Sequence, residues 1–280
     1  MKLDGKVALI TGSTDGVGRV VAKTLGAAGA RILIHGRDAE RGQRVVSEIE
    51  QAGGTASFVA ADFASLAEVQ RLGDTIRQSE KRLDILINNA GIGTAGTERL
   101  ISIDGHELRF AVNYLAGFLL THLLLPLIKT STPARIVNVS SAGQQAIDFD
   151  DVMLTRGFSG RRAYCQSKLA QIMFTIDLAQ ELEGSGVIVN ALHPATYMNT
   201  SMVRRAGVTP MSSVEEGAEA IMNLAASPGM DGRSGRYFNG LREARADAQA
   251  YDEAARRRLR AISLELTGLV ATKNEGAPRR

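Results

Sequence analysis

The chain has 280 residues, 44% hydrophobic and 22% charged, with no Trp, and a formal net charge of +3 because 33 Lys and Arg barely exceed 30 Asp and Glu. This is the composition of an ordinary globular protein long enough to bury one large core, which excludes low-complexity and collagenous chains. A single cysteine, Cys165, excludes an internal disulfide and a Cys-based metal site, and aromatics at 5% leave no stacking stripe for nucleic acid.

At the N-terminus, Val7-Ala8-Leu9-Ile10 runs directly into a glycine loop with no charged region and apolar stretch ahead of it. No cleaved leader is expected, and the protein is expected to be soluble and cytoplasmic. The apolar periodicity then predicts a strand over 7–10, a helix over 17–29, a strand over 32–35 and a helix over 39–52. A strand over 57–60 and a helix over 66–79 follow, with further apolar strands over 85–87, 136–139 and 187–191 and helices between them. The strands read as apolar on both faces, as they do when helices cover both sides of a parallel sheet. Such alternation predicts an α/β chain with a single-domain Rossmann fold, a doubly wound parallel β-sheet spanning residues 1–280. The longest apolar stretch, 118–128, is interrupted by His122 and Pro126 and is too short to span a bilayer, so no membrane insertion is expected. Segments 143–162 and 196–213 lack a clear period and read as irregular excursions near the site, the first between a strand and a helix following Tyr164. Basic residues gather at Arg256, Arg257, Arg258 and Arg260, read as a solvated helix face, and residues 270–280, ending in Arg279 and Arg280, read as a frayed tail.

The first strand opens into Thr11-Gly12-Ser13-Thr14-Asp15-Gly16-Val17-Gly18. In this strand–loop–helix setting the pattern is a phosphate cradle. Gly12 permits the tight turn, Gly16 lets the backbone approach a pyrophosphate, and Gly18 lets helix and strand pack closely. Ser13, Thr14, Asp15 and Val17 complete the loop and the helix N-terminus, whose N–H groups and dipole favour an anion. The second strand ends in His35-Gly36-Arg37, with no carboxylate before Asp38. NAD sites commonly place an acid here for the ribose hydroxyl, whereas a guanidinium suits the 2′-phosphate of NADP. Arg37 therefore points to NADP(H) as the preferred cofactor with NAD(H) possible, and Asp38 is the residue that argues the other way.

Tyr164-Cys165-Gln166-Ser167-Lys168 places a phenol and an ammonium one helical turn apart. A cation beside Tyr favours the phenolate and draws it toward the range useful for acid–base catalysis. Together with Asn88-Asn89-Ala90-Gly91, Asn113 and Ser140-Ser141, these motifs resemble the short-chain dehydrogenase/reductase family over about residues 5–240. The long interval from Ser141 to Tyr164, the run Ala163 to Ala170, and Leu192-His193-Pro194 are similar to its branch of retinol dehydrogenases and protochlorophyllide reductases.

The resemblance implies roles for particular residues. Tyr164 would be the general acid/base. Lys168 would lower its pKa and bind the nicotinamide ribose, Ser141 rather than Ser140 would hold the substrate oxygen, and Asn113 would complete a proton relay. Asp62, which also fits a helix N-cap, would accept the adenine amino group with Phe63 alongside. Asn89, Ala90 and Gly91 would lie against the adenosine ribose. Pro194 and Thr196, with Thr200 as the alternative threonine, would meet the nicotinamide amide, with Ala195 standing where the family usually has Gly. The implied activity is NADP(H)-dependent hydride transfer between nicotinamide and a carbonyl or alcohol of a mostly apolar small molecule, Met198, Met202, Val203 and Met211 lining its path. Reduction of a C=C bond and a catalytically silent NADP sensor are the alternatives. The resemblance further implies a homodimer or homotetramer assembled through the helices that carry Asn113 and Tyr164. His35, His106, His122 and His193 lack metal-ligand spacing and read as structural or surface residues, and no metal is expected. Cys165 reads as a buried helix residue.

Overall fold

Eight strands form one sheet in a computed structural model that describes residues 2–269. In chain order they are β1 (Val7–Ile10), β2 (Arg31–Gly36), β3 (Thr55–Ala60), β4 (Ile85–Asn88), β5 (Ala134–Val139), β6 (Val187–His193), β7 (Tyr237–Asn239) and β8 (Arg242–Ala244). The spatial order is β3-β2-β1-β4-β5-β6-β7-β8, parallel throughout except that β8 returns antiparallel to β7. The helices are α1 (Gly16–Ala27), α2 (Ala39–Gln51), α3 (Leu66–Ser79), α4 (Ala116–Lys129), α5 (Gly160–Glu181), α6 (Ser201–Arg205), α7 (Val214–Ala226) and α8 (Glu253–Thr267). Six of them cover the sheet. Residues of α1, α2 and α7 build the core on one face, and those of α3, α4 and α5 the core on the other. This is the doubly wound Rossmann arrangement, and its strand order reverses between β1 and β4, where such sheets bind ligands at the strands' carboxyl ends.

Local sequence explains the element starts. Asp38, Ser65, Ser159 and Ser213 each accept a backbone N–H three residues on, capping α2, α3, α5 and α7. Ser65 with Glu68, and Ser213 with Glu216, have capping-box spacing.

Several expectations are corrected. β3 is not apolar on both faces; as an edge strand it leaves Thr55 and Ala60 exposed. His122 and Pro126 do not interrupt the apolar stretch. They lie within α4, which continues a π-helical turn at Phe110–Leu115 into a helix of 20 residues, long and apolar enough to cross a membrane but largely buried here as a core helix. The helix carrying Tyr164 begins at Gly160, so Tyr164 sits in its second turn rather than ahead of it. Within the basic cluster only Arg256 departs from a solvated face, being buried and bonded to Asp177 at 2.6 Å; Arg257, Arg258 and Arg260 are exposed, the last two beside Asp150 and Glu181. The tail at 270–280 lies outside the described residues. The excursion at 196–213 contains α6 and is closed at its neck, where Met211 N–H donates to Tyr197 O and Asn199 N–H to Ser212 O.

Candidate active site

The carboxyl ends of β1, β2 and β4 hold the glycine loop by side-chain bonds that spacing alone does not reveal. Thr11 Oγ1 accepts the N–H groups of Asn89 and Ala90 at 2.9 and 3.0 Å, and Asn89 Nδ2 donates to Thr11 O and Gly12 O. At Gly12 (φ +65°) the chain passes so close to β4 that a Cβ would lie 2.8 Å from Ala90 Cα, and at Gly18 one would lie 2.5 Å from Gly12 O. Glycine at both positions is therefore a packing requirement.

His35 proves to belong to this loop. Gly12 N–H donates to its Nδ1 at 3.2 Å, its Nε2 meets Ala61 O at 3.2 Å, and Phe63 stacks on its ring. Burial drives the imidazole pKa down to about 4, so the ring is neutral, with Nδ1 free to accept. Ser13 is likewise absorbed by the fold. Its hydroxyl donates to Ile10 O and accepts His35 N–H. Phe63 is buried against the His35 ring. Asp15 caps α1, and its carboxylate accepts the Ser201 hydroxyl at 2.5 Å, the contact that does most to hold its pKa below the ordinary range. With Gly12 and Ser13 N–H engaged, the first helical N–H groups, at Val17 and Gly18, are the ones that an anion would meet.

Arg37 is exposed at the end of β2, 3.8 Å from Asp62 at the end of β3, so the two face one cleft. Asp62 is not the N-cap of α3; Ser65 is, while Asp62 accepts Ala64 N–H. Asp38 is committed elsewhere, as the N-cap of α2 and 3.4 Å from Arg41 Nε.

The catalytic candidates converge one strand further on. Asn113 lies in the π-turn, a distortion often found at functional sites, and grips Ile92 through both N–H and C=O while donating to Ser167 Oγ at 3.0 Å. A Cβ on Gly91 would sit 3.2 Å from Asn113 Oδ1 and 3.6 Å from Lys168 Nζ, so the three meet at one point. Ser140 donates its hydroxyl to Lys168 O, whereas the Ser141 hydroxyl accepts Gly143 N–H, and a Cβ on Gly143 would lie 3.5 Å from Ser141 Oγ and 3.8 Å from Tyr164 Cε1. That placement beside the Tyr164 ring separates the two serines. Burial pushes the Tyr164 phenol up and the nearby Ser141 hydroxyl opposes it. Lys168 Nζ donates to Val139 O and Gln171 Oε1, both at 2.9 Å, and lies 5.7 Å from the Tyr164 ring centre. Burial lowers its pKa to about 7.

Residues 6–209 match the family model described as short chain dehydrogenase. The chain is a short-chain dehydrogenase. Among curated relatives, the dehydrogenase is 37% identical to retinol dehydrogenase 13 of Homo sapiens over 96% of this chain and 86% of that protein. It is 38% identical to human retinol dehydrogenase 14 over 96% and 88%. Among solved structures, a protein of Mycobacterium paratuberculosis, described as putative and uncharacterized, superposes with a TM-score of 0.78 at 28% identity, covering 95% of each chain. The Pseudomonas aeruginosa RhlG/NADP active-site complex does so at 0.70 and 29% identity over 85% of this chain and 95% of the other. The dehydrogenase is thus an NAD(P)-dependent oxidoreductase with a Rossmann-type fold.

After β6 the dehydrogenase places Pro194 in a buried position, and His193 Nε2 meets the Thr196 hydroxyl at 3.1 Å. Thr200 instead lies over the glycine loop, its methyl 3.3 Å from where a Gly16 Cβ would stand. Ala195 needs no left-handed backbone; Tyr197, two residues on, takes it with φ +45°. Motif reading missed Gln144 and Tyr237, which both donate to Ser141 O, at 2.9 and 3.1 Å. No local signal marks them, because β7 is three residues long and Gln144 is in an irregular segment.

Proposed function

We propose that this dehydrogenase uses NADP(H) to interconvert a carbonyl and an alcohol on a mostly apolar small molecule, with Tyr164 as general acid and base. The observation that carries this reading is the approach of the Ser141 hydroxyl and the Tyr164 ring to one point beside Gly143, with Lys168 Nζ 5.7 Å from the centre of that ring. The nicotinamide, when bound, supplies or accepts the hydride. In the reducing direction the Ser141 hydroxyl donates to the substrate oxygen, stabilising the charge that develops there. Tyr164 gives its proton to that oxygen. Lys168, held by Val139 O and Gln171, favours the resulting phenolate. Asn113 fixes the Ile92 main chain and, through Ser167, the helix on which Tyr164 and Lys168 stand.

The cradle suits a dinucleotide. Gly12 and Gly18 keep the loop tight, Val17 and Gly18 offer helix N–H groups, and Asn89, Ala90 and Gly91 border the cleft. Preference for NADP(H) over NAD(H) rests on Arg37 being exposed at the strand end while Asp38 is consumed by its cap. The names of the retinol dehydrogenases, together with exposed Tyr197, Met202 and Met211 on the 196–213 excursion, favour an extended apolar alcohol or aldehyde as substrate.

The test is loss of NADPH absorbance with purified protein against a panel of apolar aldehydes, ketones and quinones, with NADH and Tyr164→Phe in parallel. Turnover with NADPH is expected, falling by about 10²–10⁴-fold in Tyr164→Phe without loss of NADPH binding. Unchanged turnover in that variant would remove Tyr164 from the mechanism, and a preference for NADH would overturn the Arg37 assignment.

A further inference from the structure

Ser141 stands just off the sheet. β5 ends at Val139, Ser140 N–H still donates across to Leu192 O of β6 at 2.7 Å, and Ser141 lies one residue past that bond. Its main chain is nonetheless fixed from two directions. Gln144 Nε2 donates to Ser141 O at 2.9 Å, and the Tyr237 hydroxyl donates to the same oxygen at 3.1 Å. A buried carbonyl needs a partner, and here two donors take both of its lone pairs. Gly143 N–H donates to Ser141 Oγ at 3.0 Å, so the hydroxyl is also engaged as an acceptor and keeps its proton to donate.

The two donors are themselves anchored, and the anchors come from the C-terminal part of the chain. Gln144 Oε1 accepts Asp247 N–H at 2.8 Å, so the amide cannot turn over without losing both of its bonds. Asp247 accepts Gln249 N–H in turn, and the Gln249 amide grips Ile147 through N–H and C=O at 2.6 and 3.1 Å. Tyr237 is locked in β7, paired with Ala191 on one side and Ala244 on the other. Burial pushes its phenol up to about 12, so it remains a donor at neutral pH. Tyr237, Asp247 and Gln249 all lie beyond residue 209, where the matched family segment ends.

We infer that Gln144 and Tyr237 are positioning residues for Ser141, setting the rate by holding its main chain so that the hydroxyl faces the substrate oxygen beside the Tyr164 ring. This rests on the reading above in which Ser141 holds that oxygen. Loss of either donor leaves the Ser141 carbonyl free to swing toward the other and turns Oγ with it. A donor aimed at a developing charge works only at hydrogen-bond distance.

The experiment is steady-state reduction of decanal by NADPH in the parent, Tyr237→Phe, Gln144→Met and Ser141→Ala, and in each of the first two variants combined with Ser141→Ala. Ser141→Ala should lower kcat by about 10²–10³-fold, the worth of one such donor. Tyr237→Phe and Gln144→Met should each lower it by about tenfold with KM for NADPH unchanged, because small displacements of reacting groups are costly. In the Ser141→Ala background neither substitution should lower kcat further, since the group that it positions is gone. A loosened fold would lower kcat equally in both backgrounds, so effects that persist without the Ser141 hydroxyl overturn the inference. Single variants with parental kcat overturn it too. A Ser141→Ala variant as fast as the parent, or a parent that leaves decanal and the rest of the panel unreduced, instead overturns the proposed function, and the positioning role falls with it. Tyr237→Phe removes one oxygen and leaves the ring in the core, so it decides alone if Gln144→Met does not fold.

Discussion

At the scale of single residues, burial and hydrogen bonding set both the protonation and the direction of each group at the site. His35 shows this most simply. Its imidazole is sandwiched between the glycine loop and Phe63, with Nδ1 committed to accepting Gly12 N–H, so protonation would remove the acceptor as well as bury a charge. Since its folded pKa, about 4, lies below the ordinary value of 6.5, the unfolded chain binds more protons between those two values. Stability therefore rises with pH across that window and is lost as pH falls through it, by roughly 3 kcal/mol in all. Urea unfolding of the parent and of His35→Gln at a series of pH values from 7 to 4 checks this: the parent should lose more stability, by about that amount. Equal losses would mean that the carboxylates alone account for the acid sensitivity. At the other end of the same strand junction, Arg37→Ala should weaken NADPH by about 1.5–3 kcal/mol, the value of a hydrogen bond to a charged group, while leaving NADH nearly unchanged. The ratio of the two KM values reads this out, and an unchanged ratio would assign the 2′-phosphate to another side chain.

At the scale of elements, α5 is the part on which the chemistry depends. Its 22 residues carry Tyr164, Lys168 and Gln171 at successive turns of one face, and its Ser159 cap fixes where that face starts. Lys168 is held near a pKa of about 7 by burial, with only neutral oxygens as partners, Val139 O and Gln171 Oε1. The lysine charge is thus present below that value and lost as pH rises through it. Replacing Gln171 by Glu puts a carboxylate on the ammonium, and an opposite charge at this distance favours the charged form by about 1 unit or more. The alkaline limb of kcat/KM for carbonyl reduction should move up by a similar amount in Gln171→Glu, whereas Gln171→Leu should not move it upward. A limb that stays in place in Gln171→Glu would show that Lys168 does not set it.

For the molecule as a whole, a parallel sheet with helices on both faces accounts for the cofactor edge, and α8 adds a further layer against α4 and α5. Ala250, Ala255 and Leu259 extend the core on that side, so the C-terminal part of the described chain is structural rather than appended.

What the sequence determined by itself is the information that resides in neighbouring residues. The alternation of apolar runs and helical periods identified six of the eight strands, missing only the two short ones near the C-terminus, because a buried strand and an amphipathic helix each declare themselves within one window. Glycine spacing, Tyr164 with Lys168, and Arg37 without a preceding acid were legible for the same reason: strand–loop–helix geometry and helical pitch convert short spacings into positions. The tertiary structure decided what depends on residues far apart in the chain. Ser141 is separated from Ser140 only by which hydroxyl is spent on Lys168 O and which stands beside the Tyr164 ring. His35 became part of the glycine loop through contacts with Gly12 and Ala61 that composition does not encode. The short strands β7 and β8 carry too few residues to show a period, and Tyr237 gains its place under Ser141 only from their pairing. The basic cluster of α8 is largely the solvated face that charged residues usually form; Arg256 is the exception, because its partner Asp177 lies 79 residues earlier and meets it only when α8 folds back over α5.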